Sequence, residues 1–122
     1  MISDAQKLAC RYADIWNEPY PNVRATVIAE LWRPDGVHCV RKLHAQGYQA
    51  LQQRITDSHN KNVRDGDCRF RAVSNAQQVQ NVITFNWEML RPNSDEVAAV
   101  GLEFIELDAS GRIVSDYMFF VS

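Results

Sequence analysis

The last quarter of the chain constrains the fold most. Residues 101–122 read GLEFIELDASGRIVSDYMFFVS, two long apolar runs joined by a short segment of turn-forming residues. One acid interrupts each run, Glu103 in the first and Asp116 in the second. A carboxylate in the middle of a buried strand is costly unless it is paired. We therefore expect these acids either to face water or to line a cavity.

The residues before this hairpin predict three helices and then a sheet. Ser3 and Asp4 suit a helix cap, and apolar residues follow at helical spacing as far as Trp16. Pro21 suits the first turn of a second helix, and a third helix is predicted after Gly47. From residue 67 onward the apolar period changes to that of strands. Strands are predicted at 37–40, 67–74, 79–91, 97–107 and 112–121, with a turn at 34–36.

This order predicts an α+β fold in which the helices pack on one face of an antiparallel sheet. The last strands are unusual because both of their faces are apolar. One face is expected to meet the helices. The other needs a second apolar surface, and a symmetric second copy of the chain is the simplest source.

Composition narrows the functional class. A chain of 122 residues is predicted to form a single domain, residues 1–122. Its net charge of −2, with acids and bases interspersed, argues against a nucleic-acid partner. The apolar runs are too short to predict a membrane segment, and we expect a cytoplasmic protein.

Several motifs of metal and cofactor chemistry are missing from the sequence. The cysteines are Cys10, Cys39 and Cys68, and their spacing suggests neither a zinc site nor a disulfide framework. There is no Gly-rich phosphate loop, and the histidines are scattered. The prediction is therefore no cofactor and no metal.

Three segments together resemble a known superfamily. They are RYADIWN at 11–17, IAELWRPDGVH at 28–38, and GLEFIELDASGRIVSDYMFF at 101–120. In this order they are similar to the nuclear transport factor 2-like (NTF2-like) superfamily, especially the branch with ketosteroid isomerase and SnoaL-like polyketide cyclases. The resemblance implies a cone-shaped fold, with three N-terminal helices packed on a curved, mostly antiparallel sheet. It also implies an apolar pocket, and a homodimer formed through the outer face of the sheet.

The resemblance also implies roles for particular residues. Tyr12 matches the isomerase tyrosine that donates a hydrogen bond to the substrate oxygen. Glu103 matches its buried, protonated carboxylic acid, the residue type that apolar surroundings keep neutral. Val40 stands where the isomerase has its general base. Asp116 suits the acid/base position of the SnoaL-like cyclases.

The register of the last two strands decides how the two acids act. If Leu107 pairs with Arg112, Glu103 lies opposite Asp116 on one face of the sheet. Two like charges so placed repel, and burial disfavours ionisation, so we expect the pair to share one proton. An acid beside a base suits proton transfer on a carbon acid. A register one residue different would put the acids on opposite faces.

Other side chains are candidates for the site. His59 ends the apolar row of the third helix, where it is either stabilised by the helix C-terminus or acts as a general base. Tyr12 and Trp16 share a helix face that can be plain core, although a buried phenol needs a partner that the strand acids can supply. Gly101 opposite Trp87 would leave room for the indole. The predicted ligand-binding residues are Trp16, His38, Trp87, Met118 and Phe120.

Three functions fit these observations. The first is a cofactor-independent enzyme that catalyses isomerisation, cyclisation or dehydration of an apolar carbonyl-bearing metabolite. Asp116 or His59 would be the base, Glu103 the acid, and Tyr12 the oxygen-polarising group. The second is a non-catalytic dimeric domain that binds a hydrophobic small molecule. The third is a protein-interaction module.

Overall fold

The computed structural model describes residues 2–121. The predicted helices are present, with Ser3 Oγ capping the first by accepting a hydrogen bond of 3.1 Å from the Gln6 N–H. Pro21 begins the second helix, as predicted. The helices are α1 (Asp4–Ile15), α2 (Pro21–Leu31) and α3 (Tyr48–Ser58), followed by a π-helical turn (His59–Arg64).

The strands form one curved sheet, and the predicted α+β fold is confirmed. Its strand order is β2-β1-β7-β6-β5-β3, and β4 pairs with β5 outside this path. All pairings are antiparallel except that of β1 with β7. The strands are β1 (Trp32–Val40), β2 (Leu43–Gln46), β3 (Arg69–Ala72), β4 (Gln77–Val79), β5 (Val82–Leu90), β6 (Val97–Leu107) and β7 (Ile113–Phe120).

The first strand differs from the prediction. The turn predicted at 34–36 is an irregularity inside β1, where the pairing with β7 shifts between Trp32 and Val37. A Cβ on Gly36 would lie 2.9 Å from Trp32 Cδ1, so glycine lets the indole fold back against the strand. The hairpin strand β2 was not predicted.

The register between β6 and β7 also differs. Leu107 pairs with Ile113 rather than with Arg112, and an irregularity between Glu106 and Leu107 shifts the pairing by one more residue, so Glu103 lies opposite Met118. The cause is the loop, in which Asp108 Oδ1 accepts hydrogen bonds from the backbone N–H groups of Ser110 (2.9 Å) and Arg112 (3.0 Å). Further along the strands the pairing is displaced by two residues, so both acids keep the same face.

The helices pack on the inner face of the sheet and leave an apolar outer face. On α2, Arg24 is buried and donates a hydrogen bond of 2.7 Å to the Glu18 carbonyl, whereas the apolar Val23 is 44% exposed. The predicted two-sided apolar strands are present. Exposed apolar residues on the outer face include Phe104, Tyr117 and Phe119. No helix within residues 2–121 is long and apolar enough to cross a membrane.

Candidate functional site

The two strand acids meet at a single tyrosine. α1 places the Tyr12 hydroxyl 2.8 Å from Glu103 Oε1 on β6 and 2.9 Å from Asp116 Oδ1 on β7. The three side chains are buried, with exposed fractions of 1% for Tyr12 and 0% for each acid. The expectation that the acids would supply the partner of a buried phenol is confirmed.

A bridging tyrosine fixes the number of protons in this cluster. A phenol has one O–H to donate, and ionised carboxylates can only accept. Both short contacts are therefore hydrogen bonds only if one of the two carboxyl groups is protonated and donates to the Tyr12 oxygen. Burial, reinforced by both acids, raises the pKa of Tyr12 well above its ordinary value of 10.0, so the phenol itself is neutral.

The remaining hydrogen bonds indicate which acid is protonated. Asp116 Oδ2 accepts a hydrogen bond of 2.9 Å from Trp32 Nε1, and Asp116 Oδ1 lies 2.6 Å from His38 Nδ1. Besides its contact with Tyr12, Glu103 has one side-chain hydrogen bond among the described residues, which it accepts from Trp87 Nε1 at 3.0 Å. Donors stabilise the ionised form, so Asp116 is the carboxylate. Burial, with Asp116 beside it, raises the pKa of Glu103 well above its ordinary value of 4.5.

The position of Arg54 indicates which ring nitrogen of His38 carries the proton. Arg54 Nε lies 3.3 Å from His38 Nε2. Because a guanidinium only donates, His38 Nε2 must carry a lone pair, and the ring proton is on Nδ1, facing Asp116. The result is a neutral histidine held by a carboxylate, the arrangement in which an imidazole acts as a base. The sequence carried no signal for this role of Arg54, which lies 16 residues from His38 in the chain.

His59 lies elsewhere. It is buried at the start of the π-helical turn, and its Nδ1 is 3.2 Å from the carbonyl oxygen of Trp16. The structure thus brings together Tyr12, Glu103, Asp116 and His38, and leaves His59 outside their hydrogen-bond network.

A cavity of about 450 Å³ lies next to this network. Tyr12, Trp87 and Arg54 belong to its lining, whereas Glu103, Asp116 and His38 do not and lie behind it. Of the predicted ligand-binding residues, the structure places four at the cavity and leaves out His38. Those four are Trp16, Trp87, Met118 and Phe120.

Gly101 shapes one wall of the cavity. It pairs with Trp87 across the β5–β6 ladder, as predicted. A Cβ added to Gly101 would overlap the Trp87 indole, which lies across the bare backbone. The indole then reaches Glu103 with its N–H and packs edge-on against Phe120, with ring centroids 5.9 Å apart.

The cluster also has the composition of a cation site. Ligand atoms of His38, Glu103 and Asp116 all lie within 4.8 Å of one another. However, the carboxyl oxygens of both acids are already engaged in hydrogen bonds with Tyr12, Trp32 and Trp87. The free lone pair of His38 faces the Arg54 cation. This donor set fits a hydrogen-bond network better than it fits a metal ion.

Comparison with solved structures agrees with the fold. A proposed isomerase of the SnoaL-like family from Agrobacterium tumefaciens superimposes with a TM-score of 0.87, at 21% identity over 97% of both chains. A SnoaL-like protein of unknown function from Burkholderia thailandensis superimposes with a TM-score of 0.74, at 11% identity over 100% of both chains. A proposed polyketide cyclase from Sinorhizobium meliloti gives 0.65, at 11% identity over 88% of this chain and 89% of that one.

These likenesses establish the architecture. The chain has the cone-shaped α+β fold that is also found in NTF2-like and SnoaL-like proteins. No protein-family model matches the sequence, and neither does any curated protein sequence.

Proposed function

We propose that this chain is a cofactor-independent enzyme that moves a proton on an apolar carbonyl-bearing metabolite, as in isomerisation, cyclisation or dehydration. The observation that carries the proposal is the Tyr12 hydroxyl within hydrogen-bond distance of both Glu103 and Asp116, beside an open cavity. The fold shared with a proposed isomerase and a proposed polyketide cyclase supports the same reaction class.

Tyr12 and Glu103 form the acid side of the reaction. A carbonyl oxygen that reaches the Tyr12 hydroxyl receives its proton as negative charge develops on that oxygen. Glu103 then replaces the proton on Tyr12 through the 2.8 Å contact. The proton travels from acid to phenol to substrate, so Glu103 acts without touching the substrate.

His38 and Asp116 form the base side. His38 Nε2 accepts the proton from the substrate carbon, and Asp116 stabilises the resulting imidazolium through the 2.6 Å contact with Nδ1. Arg54 covers Nε2 in the free protein, so it must turn aside when a substrate binds. Return of that proton to a different carbon, with the proton on the substrate oxygen passing back through Tyr12 to Glu103, completes an isomerisation and restores the starting state of the site.

The direct test is carbon-acid exchange. The protein is incubated in D₂O with a panel of cyclic ketones and β-keto esters, and loss of the α-proton signal is followed by NMR. We expect the wild-type protein to accelerate exchange above the rate in buffer alone. The rate due to the protein should fall by about 100-fold or more in His38→Gln and in Asp116→Asn.

His59→Gln is the matched control, because His59 is also a buried histidine but lies outside the network. Its exchange rate should stay within about twofold of wild type. Absence of exchange across the panel, or unchanged exchange in both His38→Gln and Asp116→Asn, would contradict the proposal.

Burial of the acids favours a second candidate, a non-catalytic domain that binds a hydrophobic small molecule. Both carboxyl groups are 0% exposed and lie behind the cavity wall, which suits groups that only hold Tyr12 and the indoles in place. Such a domain would bind ligands in the cavity and give no exchange with any of them.

The outer face of the sheet supports a second copy of the chain as partner. Phe104 and Tyr117 are 42% and 41% exposed and pack against each other, with ring centroids 6.5 Å apart. Phe119, 54% exposed, extends the same face. A contiguous apolar face of this kind is typical of a protein interface.

A further inference from the structure

We infer that the ligand of this cavity is an amphipathic organic anion, with a carboxylate or similar acidic group on an apolar body. The inference names the substrate class of the site proposed above, and it rests on that cavity being the ligand site. The charges of the protein are unevenly distributed. The protein has a net charge of −2, yet the lining of the cavity holds four cations, Arg41, Lys42, Arg54 and Lys61, and one acid, Asp57.

The cations of the cavity lack the ion pairs that most other cations among the described residues form. Elsewhere in the protein, six arginines form ion pairs, each with a carboxylate at 2.7–2.9 Å. These are Arg11, Arg33, Arg64, Arg69, Arg71 and Arg91. Within residues 2–121, none of the four cavity cations has an ion pair. An anion entering the cavity would therefore meet free positive charge.

Arg54 is the best placed of these cations. Its guanidinium stacks over Trp16 at 5.1 Å, and its Nε and one Nη are directed to His38 and to Met118 Sδ. The other N–H groups have no partner among the described residues. Trp16 itself is buried, and within residues 2–121 its indole Nε1 has no acceptor. At the cavity wall, an arginine with some N–H groups still free thus stacks on an indole whose N–H has no acceptor among the described residues.

The other side chains of the lining define the rest of the ligand. The walls are mainly apolar and aromatic, and include Phe70, Trp87, Met89, Met118 and Phe120. Asp57, the one acid, already accepts a hydrogen bond of 2.8 Å from Gln53. A volume of about 450 Å³ with this lining suits a compact apolar body that carries one anionic group.

An anion at Arg54 would also open the base proposed above. Arg54 Nε is the group that faces the lone pair of His38 Nε2. A bidentate contact with a carboxylate is the stronger partner for a guanidinium, and it would draw Arg54 away from the histidine. The anionic group would then both hold the ligand and expose His38.

A pair of fluorescent probes tests the inference. 1-Anilinonaphthalene-8-sulfonate and N-phenyl-1-naphthylamine share one aromatic body, and only the first carries a negative charge. We expect Arg54→Gln and Lys61→Gln each to weaken sulfonate binding, by about tenfold for Arg54→Gln, and to change binding of the neutral probe by less than twofold. Added salt should weaken binding of the sulfonate probe and leave binding of the neutral probe unchanged.

Two further variants locate the effect. Arg91→Gln removes a cation that pairs with Glu96 outside the cavity, and it should leave both probes unchanged. Ala99→Phe fills the cavity and should abolish binding of both. Lys61→Gln leaves the hydrogen bonds of His38 intact, so it separates loss of charge from disturbance of the network. Circular dichroism confirms that each variant is folded.

The possible failures are distinguishable. If wild type binds both probes and the loss of Arg54 or Lys61 affects them equally or not at all, the anion inference is overturned and the proposed enzyme remains. If wild type binds neither probe, or if Ala99→Phe binds both normally, the cavity is not the ligand site, and the proposed function falls with the inference.

Discussion

At the scale of single residues, the unusual feature is a proton held between buried acids. Tyr12 contacts Glu103 and Asp116 at hydrogen-bond distance, which requires one carboxyl group to be protonated. The sequence predicted a shared proton because two acids on one face repel. Only the family resemblance implied that Glu103 holds the proton. The residue pattern alone could not assign it, because the assignment depends on donors from Trp32, His38 and Trp87, far apart in the chain.

Glu103 should make stability depend on pH. Its pKa in the folded protein is raised above the ordinary value of 4.5. The contribution of Glu103 to the free energy of unfolding is therefore fully present below about pH 4.5 and is lost as the pH rises toward the folded pKa. In that window the free energy of unfolding should fall by about 1.4 kcal/mol per pH unit from this group. Urea unfolding from pH 5 to pH 8 should show a shallower decrease in Glu103→Gln than in wild type. Equal slopes would contradict a raised pKa.

Removal of the Tyr12 hydroxyl should destabilise the protein. Tyr12→Phe leaves both carboxyl groups buried without their shared partner, at a cost of about 1–3 kcal/mol. Tyr20→Phe is the matched control, because Tyr20 is 67% exposed and should change stability by less than about 0.5 kcal/mol. Urea denaturation measures both. Equal stability of Tyr12→Phe and wild type would show that the hydroxyl makes no net contribution.

At the scale of helices and strands, local patterns were sufficient for most of the fold. The helices and the β3-β5-β6-β7 order follow from apolar periodicity, caps and turns. The parallel pairing of β1 with β7 joins residues about 80 positions apart and leaves no local signature. The β6–β7 register was wrong because the Asp108 side chain organises the connecting loop, and the pattern of apolar residues does not report loop conformation.

Gly101 on β6 should tolerate no side chain. The Trp87 indole lies where a Cβ would stand, so Gly101→Ala should destabilise the fold by about 1–3 kcal/mol and displace the indole from Glu103. The double variant Gly101→Ala/Trp87→Leu removes the clash, so the two changes should be less than additive in urea denaturation. Additive losses would indicate that the clash is not the cause.

At the scale of the whole molecule, the outer face of the sheet should form a homodimer. Light scattering should show about twice the 14.0 kDa chain mass for the wild type. Phe104→Arg should give a monomer, because it places a charge in the middle of the apolar face. Val79→Arg, at a 72% exposed position on β4, should leave the dimer intact. A monomeric wild type would contradict the proposed partner.

The buried proton on Glu103 is the central claim, and carboxyl NMR of ¹³C-labelled protein tests it most directly. The Glu103 signal, assigned by its loss in Glu103→Gln, should have the chemical shift of a protonated carboxylic acid at pH 7, because burial raises its pKa. The Asp116 signal, assigned with Asp116→Asn, should have the shift of a carboxylate. Two ionised carboxylates at pH 7 would contradict the hydrogen-bond assignment and the proton-transfer mechanism built on it.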